Sequence, residues 1–313
     1  MKKYTFIILL SLSIRAYSQD HPAFETGDID NFWYAFDQLK FAVSKQDSID
    51  IIQREYIDKA TVCLKEFIKA RDFTAKEYQV LIQRFPLFWN SVRPLTESIK
   101  NREDEIMKVL TIYESSLPDF KRPNVCFCIG ALRTGGTVKN NFILIGSEIA
   151  AASPDVEKSE FKSIWLQSII GATDNIVAMV SHEVIHTQQK WWMSTLVDRS
   201  LNEGVADFLS HKFTGAQINK IQMEYGTKFD CQLRKEFLGD FNRDKNDFSN
   251  WLYNGDNSKD RPADLGYYIG YRIAEEYYNK SDNKKKAIKN LLNRRRYMKI
   301  FKQSKYIHED CEQ

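Results

Sequence analysis

Between residues 117 and 174 the spacing of apolar residues changes twice, and that change limits the fold more than any other feature of the chain. Over residues 28–117 apolar side chains recur at helical spacing, as in "DNFWYAFDQLKFAV", "YIDKATVCLKEFIKA" and "NREDEIMKVLTIYESSL". "NVCFCIGA" and "NFILIGSE" then read as short strands, β-branched and aromatic, joined by the turn-rich "LRTGGTVKN". Helical spacing returns near Asp174 and persists, with loops, almost to the last residue. The expected class is α+β, predominantly α-helical, with a small antiparallel sheet ahead of the second helical region. The proline-punctuated "SLPDFKRPN" divides residues 19–120, an N-terminal helical lobe, from a second region, 121–306, followed by a tail, 307–313.

The first residues read as a processing segment. Lys2 and Lys3 precede an apolar stretch, residues 4–14, that is too short to span a bilayer, and Ala16-Tyr17-Ser18 has small-x-small cleavage character. A leader of residues 1–18 implies export to the periplasm or beyond, without a stable membrane anchor. It holds three cations and no acid, so the formal charge of +3 falls to about zero in the mature chain, and no global argument for nucleic acid survives. Export permits disulfides, yet Cys63, Cys126, Cys128, Cys231 and Cys311 are too scattered for a disulfide framework and read as small buried hydrophobes. Residues 280–305 carry eleven Lys and Arg against the single acid Asp282. Apolar residues interleave there at helical spacing, so the run reads as the solvated face of a C-terminal helix.

One polar cluster interrupts an apolar helical stretch. In "AMVSHEVIHTQQK", His182 and His186 stand four apart, so one turn of helix can aim both imidazoles at a point about 2 Å from each ring nitrogen. Glu183 lies beside them, near enough to reach a metal-bound water without ligating. Exposed histidines on a surface helix would be the plain alternative, but Ile176, Val177, Val180 and Val184 make this helix apolar elsewhere, where unmatched polar groups are costly. A zinc site needs a third protein ligand, and "DRSLNEGVADFLSHKF" offers Glu203 and Asp207 one helical turn apart.

HExxH followed by a helical ExxxD resembles the gluzincin metallopeptidases. The wider pattern, "HEVIHTQQ", "NEGVADF" and "LGYYIGYRIAEEYY", is similar to a little-characterised bacterial family of predicted zinc-dependent proteases with exported members in gliding bacteria. The resemblance implies a zincin-like fold and one Zn²⁺ held by His182, His186 and Glu203. It makes Glu183 the general base and Asp207 the partner that orients a ligand histidine. Tyr267, then Tyr271, would stabilise the oxyanion, with His211 as a rival, although a tyrosine stripe at helical spacing also serves packing. On that reading the chain is an exported zinc peptidase acting on peptide or protein substrates, with "FILIG" as the strand that pairs with extended substrate. Two other classes stay open: a non-proteolytic, metal-binding envelope or motility accessory on the same scaffold, and a helical interaction module with incidental histidines. In "RPADLGYYIGYRIAEEYYNK", Gly266 and Gly270 would permit close approach to a neighbouring helix.

Overall fold

The computed structural model describes residues 23–171, 176–190, 194–258 and 260–308, so the expected leader and most of the tail lie outside the described residues. A short strand, β1 (Phe24–Glu25), leads into the helical lobe: α1 (Gly27–Gln38), α2 (Lys45–Ile52), α3 (Val62–Arg71), α4 (Ala75–Arg84), α5 (Pro86–Glu97) and α6 (Glu103–Ser116). Local chemistry sets these boundaries. Ser44, Thr61 and Thr74 accept from backbone N–H groups in the first turns of α2, α3 and α4, and Pro86 opens α5, where a missing N–H costs nothing. The fully buried Asp28 of α1 accepts hydrogen bonds from the backbone of Thr61 and Leu64, fixing α1 to the start of α3.

The sheet follows as β2 (Asn124–Cys128), β3 (Gly136–Lys139) and β4 (Phe142–Gly146), in the spatial order β1-β2-β4-β3. It is mixed, which corrects the expected antiparallel sheet: β2 pairs in parallel with both β1 and β4, and β3 alone is antiparallel, against β4. The reason lies in "GTVK", which reads as turn because Gly136 follows Gly135, yet folds as a strand. The chain loops away after β2, runs down β3, and reverses at Asn140-Asn141, with Asn140 in the left-handed region, to enter β4. β4 is therefore central rather than an edge open to extended substrate. Gly146 ends it where a Cβ would lie 2.1 Å from the carbonyl oxygen of Thr134.

A disulfide joins Cys63 of α3 to Cys126 of β2, and Cys231 is also disulfide-bonded. Both correct the expectation of packed thiols, which holds for the buried Cys128. Beyond the sheet come α7 (Ser147–Ala150), α8 (Ile164–Ile169), α9 (Ile176–Gln188), α10 (Leu196–Thr214), α11 (Lys220–Lys228), α12 (Asp230–Arg243), α13 (Gly266–Lys280), α14 (Lys284–Leu291) and α15 (Tyr297–Ser304). The buried apolar cluster is continuous from Ile29 to Ile307.

Two contacts position the ligand-bearing helices. The buried Tyr113 hydroxyl of α6 meets Ser181 of α9 and Ser210 of α10, joining three helices at one point. On its other side α10 touches α13 backbone to backbone. A Cβ on Gly204 would lie 2.0 Å from the Gly270 carbonyl carbon, and one on Gly270 would lie 1.8 Å from the Ser200 carbonyl oxygen. Gly270 thus serves the close approach to a neighbouring helix expected of it, whereas Gly266 packs against Trp251 and Leu252, which belong to no helix.

Candidate metal centre

α9 is buried on nearly every side, so its polar residues must find partners inside the protein. α10 supplies them. It begins at a capping box, Thr195 with Asp198, and runs past α9 so that Glu203 and Asp207 face the histidines. His182 Nε2 and His186 Nε2 lie 2.9 Å apart, and Glu203 Oε2 is 3.2 Å from His186 Nε2 and 3.5 Å from His182 Nε2. An ion about 2.05 Å from each of its donors in a regular tetrahedron would space them roughly 3.3 Å apart. The three atoms therefore match one face of such a tetrahedron.

The surrounding hydrogen bonds decide what these atoms carry. His182 Nδ1 lies 2.7 Å from Asp207 Oδ1, while Asp207 Oδ2 accepts from Asn219, so the carboxylate takes the imidazole's proton-bearing nitrogen. His186 Nδ1 lies 2.6 Å from Gln189 Oε1. That amide is oriented by its own nitrogen, which donates to the Asn202 carbonyl and the Tyr297 hydroxyl. Each ring thus directs its Nδ1 proton to an acceptor and turns Nε2 toward Glu203, assigned from the network. Glu203 Oε1 accepts from Asn202 and from the Tyr253 hydroxyl, leaving Oε2 to the histidine pair. Three lone pairs converge in a buried space, and only a cation between them, a proton or a metal ion, relieves their repulsion.

The electrostatics agree. Burial disfavours a charged His182, yet Asp207 and Glu203 outweigh it and hold the imidazole well above its usual pKa. Burial likewise works against a charged Glu203, but His186 and His182 keep its carboxyl well below the ordinary range. Glu183 behaves oppositely: burial raises its pKa, and its side chain packs against β3, where a Cβ on Gly136 would lie 2.6 Å from Oε1.

The residues read from sequence divide accordingly. His182, His186, Glu203 and Asp207 come together, and the ring of Tyr267 stacks beside His182 with centroids 6.3 Å apart. Tyr271 instead hydrogen-bonds His211, forming a separate pair. Sequence reasoning missed Gln189, Asn202, Asn219 and Tyr253. Asn202 carried a signal in its adjacency to Glu203, and Gln189 one in its position a turn beyond His186. Tyr253 carried none. Arg294, assigned to a solvated face, points inward and donates to Asn202 Oδ1 at 2.7 Å and Gln189 Oε1 at 3.3 Å.

Fold and cluster together define a predominantly helical α+β protein with three converging donors on two packed helices. Residues 18–308 match the family model described as gliding motility protein GldB, and the chain belongs to that family. Membership makes it a motility accessory protein associated with the cell envelope. It also overturns the expectation of a gluzincin-type zinc metallopeptidase: the matching family is a motility family, and neither protease nor hydrolase activity is supported. An HExxH helix specifies where side chains meet, and the same arrangement serves more than one chemistry. No curated protein and no solved structure matches the chain. No helix among the described residues is long and apolar enough to cross a membrane.

Proposed function

We propose that this protein is a non-proteolytic, metal-binding accessory of the gliding apparatus, exported by its leader. It holds one Zn²⁺ between α9 and α10 through His182, His186 and Glu203, with Asp207 fixing the tautomer of His182. The observation that carries this reading is the convergence of three lone-pair atoms within 4.8 Å of one another, each ring held by an acceptor at its other nitrogen. Imidazole and carboxylate suit zinc, and three protein ligands leave a position for water or a donor from a partner. The order of sheet, HExxH helix and ExxxD helix supports a zincin-like scaffold, and the match to a motility family favours binding over hydrolysis.

Zinc stoichiometry in the purified mature chain tests the proposal. One ion per chain is expected in wild type, and none is expected in His186→Ala or Glu203→Ala. The loaded wild type should leave an unfolded protein substrate intact. A wild type without stoichiometric zinc after supplementation refutes the metal centre, and zinc-dependent cleavage refutes the non-proteolytic role.

A further inference from the structure

We infer that Arg294 is a positioning residue for the metal centre, coupling zinc binding to the docking of the C-terminal segment; this rests on the metal reading above. The segment around Arg294 is strapped to the end of α9 by two backbone hydrogen bonds, Lys190 N–H to the Leu292 carbonyl and Arg294 N–H to the Lys190 carbonyl. From there its guanidinium reaches two carboxamides, Asn202 on α10 and Gln189 just beyond α9.

Those amides are the outer partners of two ligands. Asn202 donates to Glu203 Oε1 at 3.0 Å, and Gln189 Oε1 lies 2.6 Å from His186 Nδ1. A carboxamide can present either its oxygen or its nitrogen to a neighbour, and a guanidinium can only donate. Arg294 therefore holds both amide oxygens toward itself. With the Asn202 oxygen so held, its NH₂ group is directed at Glu203. With the Gln189 oxygen so held, its NH₂ group is directed at the Asn202 carbonyl and at the Tyr297 hydroxyl of α15. If Asn202 were reversed, its oxygen would face the Glu203 carboxylate. If Gln189 were reversed, an NH₂ group would face His186 Nδ1, and that ring would no longer be held with its proton outward. One cation from a segment about a hundred residues away in sequence thus reinforces the polarity of the whole chain of hydrogen bonds at both amides. Because linkage is reciprocal, an ion that fixes His186 and Glu203 also favours the docked state of the segment that braces them.

The test compares wild type, Arg294→Ala and Arg294→Lys, all as full mature chains, by zinc titration and by hydrogen exchange with and without zinc. Arg294→Ala is expected to bind zinc roughly 10- to 100-fold more weakly, the range for residues that orient a ligand from outside. Arg294→Lys, which still donates but cannot fork, should recover part of that loss. In wild type, zinc should slow exchange across residues 292–304, and in Arg294→Ala it should not. Circular dichroism of the metal-free variants verifies folding, and if Arg294→Ala fails to fold, the Lys variant carries the comparison. Wild-type zinc affinity in a folded Arg294→Ala, or unchanged exchange in wild type on zinc addition, overturns the inference while leaving the metal centre intact. A wild type that binds no zinc overturns both.

Discussion

The contact between α10 and α13 makes a prediction whose sign opposes helix propensity. At an exposed helix position Gly→Ala stabilises by about 1 kcal/mol, because alanine loses less backbone entropy on folding. At Gly204 the added methyl would lie 2.0 Å from the backbone of Gly270 and Tyr271, against an ordinary contact of about 3.5 Å. Backbone cannot rotate aside as a side chain can, so the two helices must part by roughly 1.5 Å, an overpacking that costs about 3 kcal/mol or more. Subtracting the propensity gain leaves a net loss of about 2 kcal/mol, which lowers the melting temperature by roughly 3 °C in a chain of this size. Gly239 of α12 is the control, because nothing lies within 4 Å of a Cβ built there, and Gly239→Ala should melt at or slightly above wild type. Thermal melts followed by circular dichroism read both variants. Gly204 stands between Asn202-Glu203 and Asp207, so the shift should also weaken zinc binding. A Gly204→Ala variant melting within a degree of wild type, or above it, would refute the close-packed geometry.

Three further outcomes follow from individual contacts. Burial raises the Glu148 carboxyl to about 7 even though the backbone N–H groups of Gly130 and Leu132 favour its charge. Its folded pKa exceeds the unfolded value, so this residue's contribution to stability should fall by up to about 3 kcal/mol as pH rises from about 4.5 to 7. In denaturant titrations Glu148→Gln should flatten that slope, and parallel pH profiles for the two proteins would count against it. Removing the cross-link by Cys63→Ser with Cys126→Ser frees a loop of 63 residues in the unfolded chain, which should cost about 4 kcal/mol by loop entropy. Unfolding midpoints read this directly, and an unchanged midpoint would argue that the bond does not form. Asp207→Ala removes the acceptor that orients His182 and should weaken zinc binding roughly 10- to 100-fold, as a competition titration with a chelator would report.

What could be read in advance divides along physical lines. The helical lobe, the two apolar strands and α9 were legible because periodicity encodes which face is buried. The meeting of His182 and His186 follows from one turn of helix, and that of Glu203 and Asp207 from another. β3 was hidden because a glycine pair beside Thr137 looks like a turn, although Val138 and Lys139 continue a ladder that only β4 defines. The parallel pairing of β2 with β4 depends on where the chain returns, which local pattern does not encode. The same holds for Arg294: in a run of cations nothing local marks the one that turns inward, because its partners lie on α10 and just past α9. The enzymatic reading failed for a different reason. The motif specifies a geometry of ligands, and that geometry does not carry with it the reaction performed there.

The sheet has a further consequence at its margins. Among the described residues, one flank is β1, Phe24 and Glu25, and the other is β3, four residues closing on Lys139 and an asparagine turn. Strands so brief, one carrying a carboxylate and the other an ammonium group, offer a poor template for a second molecule's backbone. Copies crowded together can therefore sit side by side without zipping into fibrils.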